Sequence, residues 1–343
     1  MGQSSQLRHL TACHWQAKWF RMFSRAFAAT CDTPYFVGLK ALANSLYAYH
    51  GNQTPLFVYQ YGFGQKEINW LLKHPLPISI FRISDFPYFP RGLWEAKQQV
   101  FAHCVGRAKS VFLLDVDIIV TSAMDDVWEL AESGFIVAGQ DGSPLTFGDD
   151  HAVYGLDLPG QTPLHVNSGA VCLDVEKHWD LAGLWAFASN FADYSPQNGF
   201  PLRLPGYGDQ GHFNALLAML HKKERLHVLP YRVWHECGKD SAVRIVSQTP
   251  NGALDVLNES TKEPQRILHA AGGSKWWTER GARHQSTLGD RLRCFHHFAE
   301  MEPGTKPTNG CENSGLRVGD MNLRNQALLD TTALVAREAR AES

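Results

Sequence analysis

The sequence lacks an excess of charge of either sign. It has 32 Lys and Arg residues against 34 Asp and Glu residues, which leaves a formal net charge of -2 at pH 7. Proteins that bind nucleic acid usually carry a basic excess, because the phosphate backbone contributes much of their affinity. The composition therefore favours no nucleic-acid partner.

Long hydrophobic runs and paired cysteines are also missing. No apolar stretch approaches the ~18 residues of a membrane-spanning helix, and the first residues lack the apolar segment of a signal peptide. The 7 cysteines are scattered and form no Cys-x-x-Cys pair, which is typical of a reducing compartment. These absences predict a cytoplasmic protein.

One segment nevertheless fits contact with a membrane surface. Aromatic residues recur at every fourth position of residues 15–27, beside three basic residues. Such a stripe fits a helix on a membrane surface, or a helix packed on the main domain. We expect residues 1–25 to form a basic and aromatic arm, and peripheral membrane contact is one of its two candidate roles.

The rest of the chain predicts an α/β fold. Hydrophobic residues make up 44% of the sequence and charged residues 19%, which is a globular composition with material for a large core. Apolar runs typical of strands alternate with helical spacing from residue 25 onward, which predicts a mainly parallel central sheet with helices on both faces. The strand-like runs include RAFAATCD, PLFVYQYGF, SVFLLDVDIIV, GFIVAGQ and HVNSGAVCLDV, and the last fits either a strand pair or a strand with a turn.

The composition changes near residue 280. EPGTKPTNGCENSG at residues 302–315 is typical of a linker, and the residues after it predict a helix with a charged end. We therefore predict one domain over residues 26–280 and a C-terminal helical tail with a linker over residues 281–343. Packing and partner binding both fit this tail.

The apolar run SVFLLDVDIIV carries two acids, Asp115 and Asp117, in its middle. Side chains two positions apart lie on one face of a strand, so the carboxylates should lie together. At an effective dielectric constant near 20, two like charges ~5–6 Å apart repel by about 3 kcal/mol, and burial adds to this cost. A divalent cation is the simplest compensation, and carboxylates with substrate phosphates suit Mg²⁺ or Mn²⁺.

A phosphatase of the haloacid dehalogenase class is an alternative explanation of the same motif. In that class the first Asp is a nucleophile, Thr or Val stands two residues after the second Asp, and the motif lies near the start of the domain. Here Ile119 occupies that position, and several predicted strands and helices come before the motif.

Three further segments carry polar groups suited to a phosphate-bearing ligand. HVNSGAVCLDV places Asn167 and Ser168 in an apolar strand context, and GDQGHFNALLAML places Asp209 at a helix start, where it fits an N-cap equally well. LHAAGGSKWW places His269 after a strand, followed by two glycines and Lys275. Imidazole can ligate a metal and favours manganese, glycine amides can face phosphate oxygens, and lysine can neutralise a departing diphosphate.

In their order along the chain, these segments resemble glycosyltransferase family 8, the group of glycogenin and the bacterial lipopolysaccharide galactosyl- and glucosyltransferases. The matching segments are TCDTPYFVGLKALANSL, FLLDVDIIV, VNSGAVCLDV, GDQGHFNAL and LHAAGGSK. The resemblance implies a GT-A nucleotide-diphospho-sugar transferase fold and a nucleotide-sugar donor, usually a UDP-hexose. It also implies a manganese ion, with magnesium as the alternative, and transfer with retention of anomeric configuration.

The resemblance also implies roles for single residues. It implies a uridine pocket of Thr30, Cys31, Asp32 and Tyr35, in which Tyr35 is a candidate for stacking on the base. It implies metal ligation by Asp115, Asp117 and His269, and donor contacts that include Val116, Asn167, Ser168, Gly272 and Lys275. Its implied catalytic residues are Asp209, Gln210 beneath the reacting carbon, and Lys275 at the leaving diphosphate.

Lys97 matches the basic residue that precedes the two acids in this family. It also lies with Phe101 and Cys104 on the apolar face of the predicted helix LWEAKQQVFAHCV. A lysine there either extends its charge to solvent or binds an anion, and we favour the anion.

Two departures from the family pattern bear on the reaction. Trp276 replaces the proline of the usual Lys-Pro-Trp. Gly206 stands where glycogenin has an aspartate, so an external carbohydrate, lipid-linked or protein acceptor is expected.

Attack by Asp209 or Gln210 and attack by the acceptor from the leaving-group face both fit the sequence. A nucleotide-sugar binding module without turnover is the non-enzymatic alternative, and the Trp276 loop is the feature that favours it.

Overall fold

A computed structural model describes residues 22–86, 93–140, 166–188, 208–220, 222–229, 235–236, 242–271 and 275–303 of the chain. Strands and helices alternate through these ranges, as predicted. The strands are β1 (Phe23–Asp32), β2 (Leu56–Tyr61), β3 (Ile78–Arg82), β4 (Ala108–Leu114), β5 (Ile118–Val120), β6 (Ile136–Gln140), β7 (Val166–Asp174), β8 (Leu226–Leu229), β9 (His235–Glu236), β10 (Val243–Gln248), β11 (Leu254–Asn258) and β12 (Ile267–His269). The helices are α1 (Phe36–His50), α2 (Gln65–Lys73), α3 (Leu93–Cys104), α4 (Asp125–Ser133), α5 (Trp179–Ala188), α6 (Gly208–Met219), α7 (Glu279–Ser286) and α8 (Arg291–Glu300).

The centre of the fold is a 7-stranded sheet in the order β3-β2-β1-β4-β7-β6-β8. Strand β7 runs antiparallel to both of its neighbours, and the other neighbouring pairs are parallel. The prediction of a mainly parallel sheet is therefore confirmed. Segment HVNSGAVCLDV forms the single strand β7, and a register shift in its pairing with β6 takes the place of the turn that the sequence allowed.

Strand β1 shows why the sheet is covered on both faces. Its burial pattern runs from exposed residues at Phe23 to a continuous buried stretch, because both of its faces meet apolar layers. Phe27 faces the layer formed by α1 and α4, whereas Ala28 faces the layer formed by α3, α5 and α6. The helical stripe expected over residues 15–27 is wrong for Phe23 and Phe27, which lie in this strand, and residues 1–21 lie outside the described ranges.

A small second sheet links the two acids to the downstream histidine segment. Strands β5 and β12 pair antiparallel, with Ile118 opposite His269, and β9 pairs with the other side of β12. The backbone N–H of Ala270 donates to the carbonyl of Asp117 at 3.0 Å, which extends this pairing. Residues that are far apart in sequence thereby become neighbours at one end of the central sheet.

The C-terminal helix α8 belongs to the core. Its residues Phe295 and Phe298 are fully buried in a cluster with Trp276 and with Ile119 of β5. Asn44 of α1 donates to the carbonyls of Phe298 and Met301, at 2.6 Å and 2.9 Å. The packed core thus continues beyond the domain boundary expected at residue 280, and residues 304–343 lie outside the described ranges.

None of the helices in the described ranges combines the length and the apolar composition that crossing a bilayer requires.

Candidate active site

A cavity of about 370 Å³ opens at the carboxyl ends of β1 and β4. Ligands of open α/β sheets bind at this edge. It is lined by Thr30, Tyr35, Leu93, Lys97, Asp115, Val116, Asp117, Asn167, Ser168, Asp209, Gln210, His269, Ala271 and Lys275. All of these except Leu93 and Ala271 were predicted from the sequence, and those two are apolar residues without a distinguishing pattern.

Asp115 and Asp117 lie in a tight turn between β4 and β5. Strand β4 ends at Leu114, and the N–H of Ile118 donates to the carbonyl of Asp115 at 3.1 Å. The expectation that both acids lie on one face of a single strand is therefore wrong. The turn itself brings them together, and it is held by the N–H of Asp115, which donates to the carbonyl of Gly169 at 2.8 Å.

His269 completes a set of ligand atoms at this turn. Its Nε2 lies 3.2 Å from Oδ1 of Asp117 and 3.9 Å from Oδ2 of Asp115. One ligand atom from each of the three residues falls within 4.8 Å of the others. Two carboxylate oxygens and an imidazole nitrogen on a preformed turn suit Mn²⁺ or Mg²⁺, so the residues present fit the predicted metal.

Two glycines allow the turn and the histidine to approach so closely. A Cβ on Gly169 would lie 2.5 Å from Cε1 of His269 and 2.8 Å from Oδ2 of Asp115. A Cβ on Gly38 of α1 would collide with the carbonyl oxygen of Val116. Gly38 carries no signal in the sequence, because only the long-range packing of α1 on the turn requires a glycine there.

Lys97 forms a buried bridge between Asp115 of the turn and Asp209 of α6. Its Nζ lies 2.8 Å from Oδ1 of Asp115, 2.8 Å from Oδ2 of Asp209 and 3.2 Å from Oγ of Ser168. The anion expected at Lys97 is therefore supplied by two carboxylates of the protein. Although burial alone lowers the pKa of Lys97, the Asp115 and Asp209 carboxylates raise it above its ordinary value, so the side chain is a permanent cation.

Asp209 and Gln210 lie in the first turn of α6 and face β7. Ser168 donates through Oγ to Oδ2 of Asp209 at 2.6 Å, and through its N–H to Oε1 of Gln210 at 3.3 Å. The carboxylate of Asp209 thus contacts the site rather than capping the helix. Asn214, a residue that the sequence analysis missed, fixes this arrangement because its side-chain amide bonds both the N–H and the carbonyl of Val166.

Asn167 lies beside these residues at the start of β7. Its Oδ1 accepts a hydrogen bond from the N–H of Gly169 at 2.7 Å, which shapes the backbone next to Asp115. Its side chain is buried and lines the cavity.

Lys275 reaches the opposite side of the cavity. Its ammonium pairs with Oδ2 of Asp117 and lies 5.8 Å from the ring centroid of Tyr35. Burial lowers the pKa of Lys275, but Asp117 outweighs this effect and raises it. The departure at Trp276 is accommodated in the core, and Trp277 packs edge-on against Tyr35 with ring centroids 5.4 Å apart.

The two acids of the turn differ electrostatically. Burial raises the pKa of Asp115, and the opposing charge of Lys97 offsets only part of that shift. Burial acts in the same direction on Asp117, but His269 and Lys275 together hold the pKa of Asp117 below its usual value. The site therefore holds one carboxylate firmly ionised beside a second that is easier to protonate.

The residues expected in the uridine pocket divide into two groups. Thr30 and Tyr35 line the cavity. Cys31 does not line it, because its thiol is fully buried in the core beneath α1, and Asp32 caps the turn after β1 by accepting from the N–H of Tyr35 at 3.2 Å. Gly272 lies outside the described ranges.

The fold resembles crystal structures of glycosyltransferases. The galactosyltransferase LgtC, solved with donor and acceptor sugar analogues, is 15% identical at a TM-score of 0.53, over 81% of this chain and 98% of LgtC. The bifunctional glycosyltransferase WbbM is 14% identical at a TM-score of 0.52, over 82% of this chain and 50% of WbbM. Neither a protein-family model nor a curated protein sequence matches the chain. The likeness establishes the fold, and the predicted GT-A fold is confirmed.

Proposed function

We propose that this protein is a metal-dependent, retaining glycosyltransferase that transfers a hexose from a UDP-sugar to an external acceptor. One observation carries the proposal: the metal-ligand set at Asp117 and His269, the cation of Lys275 and the carboxylate of Asp209 all line one cavity of a GT-A fold. LgtC, which shares this fold, was crystallised with donor and acceptor sugar analogues, and this supports a sugar donor and a carbohydrate acceptor here.

The metal would be held by Asp115, Asp117 and His269. The imidazole nitrogen favours Mn²⁺ over Mg²⁺, because magnesium prefers an all-oxygen environment. When bound, the ion supplies Lewis acidity that stabilises negative charge on a departing diphosphate.

Lys275 is the chain's own cation for the leaving group. Its ammonium lies at the carboxylate of Asp117, which would hold the metal ion. A diphosphate bound to that ion would therefore meet the positive charge of Lys275 as well. Preorganised charge in a largely buried site stabilises developing negative charge more than water does. We therefore assign Lys275 to stabilisation of the transition state rather than to simple donor binding.

Lys97 and Ser168 orient the carboxylate of Asp209 toward the sugar side of the cavity. A carboxylate that already accepts two strong hydrogen bonds is a weak nucleophile, since both bonds withdraw electron density from its oxygens. This contact favours attack by the acceptor hydroxyl from the leaving-group face over a covalent intermediate on Asp209. Gln210, whose Oε1 faces the N–H of Ser168, would support the reacting carbon.

The site of action proposed for this enzyme is the cytoplasm. Cys31, Cys104, Cys172 and Cys294 are free and buried thiols in the described ranges, and their scattered positions motivate the proposal. The proposal also includes peripheral membrane contact through the N-terminal arm. The acceptor in this proposal is a carbohydrate, a lipid-linked molecule or a protein.

The experiment that tests the function is release of UDP from a panel of UDP-sugars by the purified chain, with Mn²⁺ or with a chelator. The matched variant is Asp117→Asn, which keeps the size of the side chain and removes its charge. Manganese-dependent release from one donor, absent in the variant, supports the proposal. Donor binding without release indicates a binding module, and hydrolysis of a simple phosphate monoester instead indicates the phosphatase.

A further inference from the structure

Helix α8 (Arg291–Glu300) lies behind the cavity, in a part of the chain beyond the segments that resemble glycosyltransferase family 8. Arg291 and Phe295 are one helical turn apart on this helix, and both are fully buried. Neither residue lines the cavity. Each instead contacts a segment that carries a residue of the site.

Arg291 contacts the segment of the metal-ligand histidine. Its Nη2 donates to the backbone carbonyl of His269 at 2.7 Å. A buried guanidinium costs free energy unless its hydrogen bonds are made, and a cation in the first turn of a helix also opposes the helix dipole. An apolar side chain of similar volume would fill this place without either cost, so packing alone gives no reason for an arginine here.

Phe295 contacts the segment of the diphosphate-binding lysine. Its ring stacks on Trp276 with centroids 5.5 Å apart and an interplanar angle of 12°. Trp276 directly follows Lys275, and the next residue, Trp277, packs on Tyr35 at the cavity. The stacked pair therefore anchors the backbone from which Lys275 extends toward Asp117.

We propose that α8 is a positioning element of the site, in which Arg291 holds the backbone of His269 and Phe295 holds the segment of Lys275. The inference rests on the proposed function, which assigns His269 to the metal and Lys275 to the diphosphate. The inference gives α8 a role in the site although the helix does not contact the ligand. That role is to set the distance between His269 and Lys275.

The sharpest test replaces Arg291 with lysine. This substitution keeps the positive charge but replaces the planar donor fork with a single ammonium on a shorter side chain. Because lysine and arginine carry the same charge, the side chain at position 291 repels a bound cation about equally in the variant and in the wild type. A loss of Mn²⁺ affinity therefore reports a change in the position of His269. The affinity of the full chain for Mn²⁺ alone is measured from free Mn²⁺ by electron paramagnetic resonance, and Kd should rise about tenfold in Arg291→Lys.

Two variants on the same helix separate positioning from general effects. Arg293→Lys makes the same chemical change at an exposed arginine that pairs with Asp290, and it should leave Kd for Mn²⁺ unchanged. Phe298→Leu disturbs a buried ring that packs against Tyr49 and His297, and it should lower the melting temperature while Kd for Mn²⁺ stays within about twofold of wild type.

The second half of the proposal is tested with Phe295→Leu, which also carries the test if Arg291→Lys does not fold. Its Kd for Mn²⁺ and its Kd for the donor should match wild type, whereas its kcat for UDP release at saturating Mn²⁺ and donor should fall about tenfold, because Lys275 acts on charge that develops on the leaving diphosphate. Wild-type Mn²⁺ affinity in Arg291→Lys together with wild-type kcat in Phe295→Leu would overturn the inference, and so would an equal loss of Mn²⁺ affinity in Phe298→Leu. Absence of Mn²⁺ and UDP binding in the wild-type chain would instead refute the proposed function on which the inference rests.

Discussion

The ammonium of Lys97 lies 2.8 Å from Oδ2 of Asp209, and it lies at the same distance from Oδ1 of Asp115. One buried cation therefore neutralises a carboxylate of the turn between β4 and β5 and another in the first turn of α6. Removal of one member of such an arrangement leaves buried charge uncompensated, which costs much more than the pair contributes.

The first prediction concerns this bridge. Lys97→Met should lower the free energy of unfolding by roughly 3 kcal/mol, because two carboxylates lose their shared partner. Mn²⁺ should raise the melting temperature of this variant more than that of wild type, since the ion restores positive charge at Asp115. Thermal unfolding with and without Mn²⁺ checks both effects, and Lys66→Met, at an exposed lysine of α2, is the control. Equal shifts with Mn²⁺ in variant and wild type would contradict the assignment.

The second prediction separates binding from turnover at Lys275. Lys275→Ala should lower kcat by about a hundredfold or more while donor affinity changes far less, because the ammonium acts mainly on charge that develops in the transition state. Lys275→Arg keeps the charge and should retain part of kcat. Steady-state kinetics and calorimetry of donor binding provide the two numbers. Equal losses of kcat and affinity would show that Lys275 only binds the donor.

The third prediction tests the close approach at Gly169. A methyl group there would lie 2.5 Å from Cε1 of His269, so Gly169→Ala should displace the imidazole and raise Kd for Mn²⁺ about tenfold or more. The matched control is Gly183→Ala in α5, where an added Cβ meets nothing within 4 Å. That control should bind Mn²⁺ normally and gain up to about 1 kcal/mol of stability from better helix propensity. An unchanged Kd in Gly169→Ala would mean that the site is looser than its geometry indicates.

The sequence was sufficient for the alternation of strands and helices, because apolar periodicity is a local signal, whereas most residues of the cavity were expected from the resemblance to glycosyltransferase family 8. It was insufficient for the turn at Asp115 and Asp117, since two acids in a continuous apolar run fit an unbroken strand equally well. The roles of Gly38 and Arg291 depend on contacts with residues far away in the chain. Local patterning carries no information on such contacts, which explains why α8 was assigned to a separate tail.

The fourth prediction uses a histidine outside the site. Nδ1 of His74 accepts from the N–H of Leu76 at 3.1 Å and Nε2 lies 2.9 Å from Oδ1 of Asn44, so the buried ring is neutral, with its proton on Nε2. Burial lowers the pKa of His74 from 6.5 to about 4. Between these values the unfolded chain binds the extra proton more readily, so stability is full above pH 6.5 and falls as the pH drops toward 4.

The loss from His74 should reach about 3 kcal/mol at the acid end of this window. His74→Gln should make the free energy of unfolding less dependent on pH between 4 and 6.5. Urea unfolding at a series of pH values measures the slope. An identical slope in His74→Gln and wild type would exclude His74 as a source of acid sensitivity.

The fifth prediction concerns the N-terminal arm. Strand β1 begins at Phe23, so removal of residues 1–20 leaves every described element intact. The truncated chain should release UDP at the wild-type rate with a soluble acceptor, because the described residues that line the cavity all lie at Thr30 or later in the chain. Its co-sedimentation with anionic phospholipid vesicles should fall, since the removed segment carries Trp15, Lys18 and Trp19 of the basic and aromatic stripe. A truncated chain that is folded but inactive would show that the arm takes part in the reaction rather than in attachment.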